Sequence, residues 1–457
     1  MGNTEGLALY EGAARGDVGA ARKARRAGGD FRWRYEAGPE EMDVTDVTRG
    51  PRSRRITLAV VAAAVVAGAT VGIAAARPAL TGRDPAAAGP ATATPSGFEL
   101  SVSPADGANA VPLDFRVRVN ARNGRITAVR VTPAAAPDAA ALAGAPLPGS
   151  LRRSGTVWMA TGQLAPHTSY TVTADGVDGT GRVTTTTTTF RTRPPTAREQ
   201  LHVSRIWPPD GSTVGIAAPL SIVFNHPVTN RVAVQSALHV KVTPAVPGAW
   251  YWVDTNTVDY RPQTFWAPGT KVSVKVSLAD VPAGGGLWGV GRKASAFTVG
   301  RAQTIHVDLR EHVLTVERDG AVLKQFPVSG GKPGWQTRNG TQLIMAKVRN
   351  KTWTNTAIDA PEHYVLHSDH AMRLTNSGEF IHDAPWNRGN IGSANTSHGC
   401  VGMYTPDMAW LYDISIIGDP VIVTGSDRPH GVLWNLFMDW NVPWTQWARG
   451  NATENAV

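Results

Sequence analysis

Phe380-Ile381-His382-Asp383-Ala384-Pro385-Trp386 and Ser397-His398-Gly399-Cys400-Val401-Gly402-Met403 are the stretches on which the reading of this 457-residue chain turns. Cys400 is the single cysteine, two residues after His398 and eighteen after His382. A lone thiol makes no intramolecular disulfide, and a lone cysteine with histidines nearby is a candidate nucleophile. A thiol of ordinary pKa, about 8.5, is mostly protonated at neutral pH and needs an imidazole to take its proton. That imidazole needs an orienting partner on its other nitrogen. A tetrahedral intermediate needs N–H donors beside the nucleophile, and Gly399 permits the tight turn that would aim them. On residue types alone the alternative stays open: a buried cysteine packed as a small hydrophobe.

The order and spacing narrow this. Ile381 to Trp386 followed by Thr396 to Met403 resembles the signature of the L,D-transpeptidase catalytic domain in its actinobacterial form. The resemblance runs from about Gln303 to Ala452 and takes in the tail Asp439-Trp440-Asn441-Val442-Pro443-Trp444-Thr445-Gln446-Trp447. It implies that Cys400 is the acyl-accepting nucleophile and His382 its base. The Asp383 carbonyl would orient the imidazole, and the N–H groups of His398, Gly399 and Cys400 would form the oxyanion hole. Tyr364, eighteen residues before His382, resembles a tyrosine of the substrate cleft. Ser397 and Trp386, inside the two motifs, are read with it as substrate-binding. Two positions depart from the family pattern. Asp383 stands where Ser or Gly is usual, and an added carboxylate acts to raise the imidazole pKa. Gly402 stands where Asn is frequent.

The implied reaction is acyl transfer between peptidoglycan tetrapeptide stems through a cysteine thioester, with acylation by carbapenems and no cofactor. Two alternatives accompany it. Water or a protein lysine would resolve the same thioester in a carboxypeptidase or a protein-attachment enzyme. A non-catalytic wall-binding scaffold would carry an inert Cys400.

Composition bounds the rest. The length predicts about three domains, and 32 Pro with 47 Gly favour β modules over helical bundles. Residues 1–55 are polar, with eleven Lys/Arg and nine Asp/Glu, and read as a disordered cytoplasmic tail. The basic clusters at 22–26 and 52–55 could be read as nucleic-acid patches; the simpler reading is a disordered tail whose last cluster, 52–55, marks the cytoplasmic side of a membrane. Residues 56–76 carry no charge and are long enough to span a bilayer, which needs about 20 apolar residues. Basic residues before the span predict a cytoplasmic N-terminus and a catalytic part outside the cell membrane, in the wall space. Ala74-Ala75-Ala76 resembles a cleavage site, but the long leading segment favours an uncleaved anchor. Residues 77–97, rich in Ala, Pro and Thr, predict a spacer reaching up to roughly 60 Å. The tail holds +2 of the chain's +9, leaving +7 beyond it, which suits anionic wall polymers weakly.

Residues 98–197 and 198–300 read as two copies of one immunoglobulin-like sandwich. Ser103-Pro104-Ala105-Asp106-Gly107 returns as Trp207-Pro208-Pro209-Asp210-Gly211, and Val111 to Val117 returns as Ala218 to Phe224. Phe115, Val117 and Val119 alternate with Arg116, Arg118 and Asn120, as a half-buried strand requires. Thr184 to Thr189 suits a strand near an edge. Trp250-Tyr251-Trp252 is expected to pack in a core, with sugar stacking as the alternative use.

Residues 301–425 predict a mainly β, barrel-like catalytic domain, with a hairpin at Asp319-Gly320 and a helix from Thr405 to Tyr412. Lys351 to Thr375 is expected to form a lid carrying His363, His367 and His370. Those histidines match no metal-ligand spacing, so no metal is expected. Residues 426–457, with Trp434, Trp440, Trp444 and Trp447, are expected to pack as a tail against the catalytic domain.

Overall fold

The computed structural model describes residues 97–134 and 145–452. The expected tail, membrane anchor and nearly all of the spacer lie outside the described residues. Among the described residues no helix is long and apolar enough to cross a membrane.

Two consecutive two-sheet sandwiches come first, and their strands follow one order. In the first, Glu99–Ser103, Arg118–Arg122, Val157–Ala160 and Gly149–Arg152 form one sheet. Ala108–Val111, Val183–Thr192, Ser169–Asp178 and Gly124–Pro133 form the other. In the second, Val203–Trp207, Leu220–Phe224, Thr257–Pro262 and Gly248–Trp252 repeat the first order, and Thr213–Val214, Arg292–Val299, Lys271–Ser277 and Leu238–Thr243 repeat the second. The repeated Asp-Gly pair has one physical use in both. Asp106 accepts the N–H of Thr189 at 2.7 Å, and Asp210 that of Ala296 at 2.8 Å. Gly107 and Gly211 turn the chain at φ of 73° and 74°. Alternation buries Val117 and Val119 completely. Trp250 and Trp252 are buried among Phe224, Val258 and Trp266 and do not line a sugar platform.

The catalytic domain is built on β1 (Gln303–Asp308), β2 (Val313–Arg318), β3 (Ala321–Pro327), β4 (Gly340–Leu343), β5 (Ala346–Thr354), β6 (Val365–Arg373), β7 (Phe380–Asp383), β8 (Val401–Met403), helix α1 (Thr405–Ile414) and β9 (Pro420–Thr424). These strands do not close a barrel. They make a five-stranded sheet, β3-β2-β1-β9-β4, and a four-stranded sheet, β5-β6-β7-β8. Single bridges, Ser329 to Gly402 and Gly331 to Ser397, tie the sheets together. The core between them includes Ile305, Val307, Ile381, Val401, Met403, Met408 and Leu411. The β2–β3 turn falls at Asp319-Gly320, both at positive φ, as the sequence predicts.

The expected lid is only partly one. Residues 351–354 and 365–373 are strands of the four-stranded sheet, paired in register from Lys351–Ser368 to Thr354–Val365. Only the loop 355–364 overhangs, because strand pairing satisfies the backbone on either side.

The tail corrects a second expectation. It packs on the second sandwich as well as on the catalytic domain. Trp440 Nε1 donates to Ala217 O and Trp447 Nε1 to Ala249 O, at 2.8 and 2.9 Å. Trp447 stacks on Tyr251 at 4.8 Å. On the other side Asn441 exchanges two 2.8 Å hydrogen bonds with the Thr341 backbone. The indoles go where a turn at Ala217 and a strand at Ala249 offer carbonyls to receive their N–H groups.

The second sandwich and the catalytic domain meet backbone to backbone. Gly215 N–H donates to Ile417 O and Ala217 N–H to Gly418 O, at 2.8 and 3.0 Å. Arg301 clamps the buried Asp419 from the same seam, at 2.8 Å. A Cβ on Gly215 would lie 2.1 Å from Asp419 N. Gly215→Ala is therefore expected to cost about 1–3 kcal/mol by overpacking, read as an earlier thermal transition and faster proteolysis near residue 300. An unchanged melt would show that the seam yields freely.

Candidate active site

Strands β7 and β8 run side by side in parallel, with Ile381 opposite Val401 and His382 opposite Gly402. Cys400 stands one residue before β8 and so falls on the His382 side of the sheet, two residues out of step. Gly402 leaves the position beside the imidazole without a side chain. A Cβ there would press on Ala384 Cβ at 3.1 Å, so the larger residue common at this position has little room.

His382 is buried. Its Nδ1 lies 2.8 Å from the Asp383 carbonyl oxygen. A carbonyl only accepts, so Nδ1 carries the proton and Nε2 is the basic nitrogen. Burial holds the imidazole pKa below its ordinary value, outweighing the Asp383 carbonyl and carboxylate, which act to raise it. The carboxylate expected to raise the imidazole is turned away. It accepts the His370 N–H at 2.8 Å and the Thr405 hydroxyl at 3.5 Å. Asp383→Asn keeps an acceptor for His370 and leaves the orienting carbonyl in place. Its acylation rate is expected within about tenfold of the parent, far short of the 10²–10⁴ carried by a general base. A larger loss would give the carboxylate a direct part.

Cys400 is half-buried, and its thiol donates to Gly378 O across 3.8 Å. The hydrogen bond goes there and not to His382. Burial, helped by the Glu379 carboxylate, pushes the thiol pKa up to about 12, against the Phe380 N–H and Lys351, which lower it. The resting pair is thus a thiol and a neutral imidazole.

The turn before Cys400 is internally bonded. Gly399 sits at φ 120°, which favours glycine. Its N–H donates to Ser397 Oγ at 3.1 Å, and that hydroxyl donates to Cys400 O at 2.6 Å. So the structure uses Ser397 to hold the turn, and the Gly399 N–H, expected among the oxyanion donors, is engaged inside it.

Residues 302–423 match the L,D-transpeptidase catalytic domain family, and residues 108–282 the bacterial Ig domain. L,D-transpeptidase 2 of Mycobacterium tuberculosis is 33% identical over 360 residues, covering 78% of this chain and 85% of that protein. The chain belongs to the L,D-transpeptidase family. L,D-transpeptidase 5 of the same species is 30% identical, covering 78% of each chain. The solved structure of LD transpeptidase LdtMt1 in complex with imipenem is 33% identical over 49% of this chain and 98% of that one, with a TM-score of 0.43.

Around this L,D-transpeptidase site the remaining sequence candidates gather. Trp386, 42% exposed, stacks on His382 at 5.6 Å. Tyr364 stacks on His398 at 5.6 Å, and its hydroxyl pKa is raised foremost by burial, with the Glu362 carboxylate adding to it. His363, His367 and His370 bond Asn355, Thr352 and Arg349 in turn, at 3.0, 3.2 and 2.9 Å. Among the described residues no group of three or more His, Cys, Asp or Glu is placed to hold a metal.

Sequence reasoning missed three contributors. Ser368 Oγ donates to Asp383 O at 2.7 Å and lies 3.3 Å from His382 Nδ1. Trp353 donates to Ser368 Oγ at 2.8 Å and packs its ring 4.6 Å from the imidazole. Glu362 bonds His398 Nε2 at 3.0 Å. Pairing of β5, β6 and β7 brings Ser368 and Trp353 to His382, the loop 355–364 brings Glu362 to His398, and no local motif announces either.

Proposed function

We propose that this chain is an L,D-transpeptidase that joins peptidoglycan stem peptides by a cysteine acyl-enzyme route. One observation carries the reading: a buried neutral imidazole, its Nδ1 proton fixed on the Asp383 carbonyl, on the strand beside the single cysteine. Cys400 Sγ attacks the carbonyl of the L,D-peptide bond of a tetrapeptide stem, and His382 Nε2 takes the thiol proton. The N–H groups of His398 and Cys400, with Gly399 joining if Ser397 rotates, receive the oxyanion. The C–N bond breaks, the His382 proton passes to the leaving amine, and the terminal D-amino acid departs. The side-chain amine of a neighbouring stem then attacks the thioester. A C–N bond forms, the C–S bond breaks, and the amine's proton returns through His382 to sulphur. No cofactor enters this chemistry.

Tyr364 and Trp386 flank the base and the nucleophile turn and line the cleft for the donor stem. The +7 carried beyond residue 55 suits an anionic wall. Residues 56–76 anchor the chain once in the cell membrane, N-terminus inside, and the two immunoglobulin-like sandwiches carry the enzyme outward. The uncharged run supports the anchor.

The test is intact mass spectrometry of the protein incubated with a carbapenem, beside Cys400→Ala. A one-to-one adduct on the parent alone is expected. No adduct on either would sink the acyl-transfer reading and favour the inert scaffold.

A further inference from the structure

Beside the turn that carries Cys400, the side chains of Lys332, Glu362 and His398 form a contact that acyl-enzyme formation does not use. Glu362, on the overhanging loop 355–364, pairs through Oε1 with the ammonium of Lys332 and through Oε2 with His398 Nε2 at 3.0 Å. Lys332 is pinned to the nucleophile turn, since its N–H donates to Ser397 O at 2.8 Å. His398 is seated between the Tyr364 ring at 5.6 Å and the Trp335 ring at 5.0 Å, two residues from Cys400.

We propose that Glu362 is the acceptor-recognition carboxylate: it takes the primary ammonium of the incoming acceptor in place of Lys332 and presents it beside the Cys400 thioester. This rests on the acyl-transfer reading above and concerns binding; the ammonium gives one proton to solvent before it attacks, and the bond-making step of the resulting amine is the one already given. Lys332 ends in the same chemical group as the acceptor, a primary ammonium on an alkyl stem, and fills the subsite in its absence. The exchange is easy. The Lys332 and Glu362 side chains are 30% and 49% exposed, and an exposed ion pair is weak. The chain is net positive and places Lys332 and Lys351 near the site. A cationic acceptor therefore needs a carboxylate on its path, and Glu362 supplies it. Holding the amine beside the thioester also raises its local concentration against water, the competing nucleophile.

The test uses the full chain, a tetrapeptide donor, and Nα-acetyl-L-lysine as the acceptor. The amide and hydrolysis products are quantified by mass spectrometry. Glu362→Gln is expected to lower the amide-to-hydrolysis ratio roughly tenfold or more, the change that loss of one charge-assisted hydrogen bond brings. Lys332→Met is expected to raise that ratio at low acceptor concentration, because it removes the internal competitor. Added salt should depress the ratio in the parent and leave it nearly flat in Glu362→Gln. An unchanged ratio in Glu362→Gln overturns the inference. So does a fall in Lys332→Met matching that in Glu362→Gln, which would make the pair a structural latch. In both of those cases the parent still forms its acyl-enzyme. Absence of any acyl-enzyme in the parent overturns the acyl-transfer reading itself, and the inference with it.

Discussion

Cys400→Ala is expected to form no covalent adduct and turn over no donor, and His382→Gln to slow acylation by about 10²–10⁴-fold with the fold intact. The reason lies in the resting protonation. With the thiol pushed up to about 12 and the imidazole held below its ordinary value, both groups are neutral near pH 7. No preformed thiolate waits for substrate, so the base must take the thiol proton as the bond to carbon forms. The pH dependence follows with a definite sign. Alkylation of Cys400 by iodoacetamide in the absence of substrate needs thiolate, and its rate should climb about tenfold per pH unit from 7 to 9 without levelling. Acylation by donor needs neutral His382, whose pKa is lowered, so it should persist below the ordinary histidine range and fall only in more acidic solution. A plateau in alkylation above pH 7 would falsify the neutral pair and point to a thiolate–imidazolium ion pair.

Arg261→Met is expected to cost roughly 3–5 kcal/mol, the penalty of removing one partner from a buried charge cluster. Arg261 is 2% exposed. Its guanidinium donates to Pro262 O, Asp439 O and Val442 O at 3.1, 3.1 and 2.8 Å. It lies against the rings of Trp440, Trp444 and Trp447 at 4.6, 5.6 and 4.3 Å. Burial draws its pKa down to about 10, which still leaves it charged at neutral pH. Without it three carbonyls lose donors and the buried carboxyl of Asp439 loses its counter-charge. Methionine fills the stem's volume, so the loss reports charge and hydrogen bonding more than a cavity. Thermal unfolding and proteolysis of the tail are the readouts; an unchanged melt with a protected tail would sink the idea.

The same buried carboxyls give stability a pH sign. Burial raises Asp419 to about 6, and it raises Asp439 and Asp259, the latter further by their mutual repulsion. The folded chain then holds protons that the unfolded chain has lost, so stability falls as pH rises from about 4 through 6. Glu199 and Glu362, drawn down to about 2, act the other way, but only below the ordinary carboxylate range, and both are exposed enough to be screened. The melting temperature should therefore be higher at pH 5 than at pH 7.5, with a wider gap in Arg261→Met. The reverse order would mean that these carboxyls are ionised in the folded state.

Much of this molecule is legible in local sequence. Cys400 and His382 stand in two short motifs because each strand end fixes its own backbone donors and acceptors. The Asp-Gly turns betray the repeated sandwich because one hydrogen bond and one left-handed residue are needed at the same place twice. What local sequence conceals is which strands become neighbours. His382 gains Ser368 and Trp353 through pairing of β5, β6 and β7, across 14 and 29 residues of chain. The tail tryptophans reach Ala217 and Ala249 across 223 and 198 residues. No periodicity within the tail names those partners, and so the catalytic domain alone was expected to receive it.

By itself, then, the sequence showed the two short motifs that carry Cys400 and His382, the resemblance that pointed to the Asp383 carbonyl, and the repeated β architecture, all of them patterns written in the order of residues along the chain. The tertiary structure decided the open two-sheet form of the catalytic domain, the docking of the tail on the second sandwich, and the engagement of the Gly399 N–H by Ser397. It also decided the protonation of the catalytic pair. A pKa is set by how much water and charge surround a group, and burial is a property of the whole packed molecule.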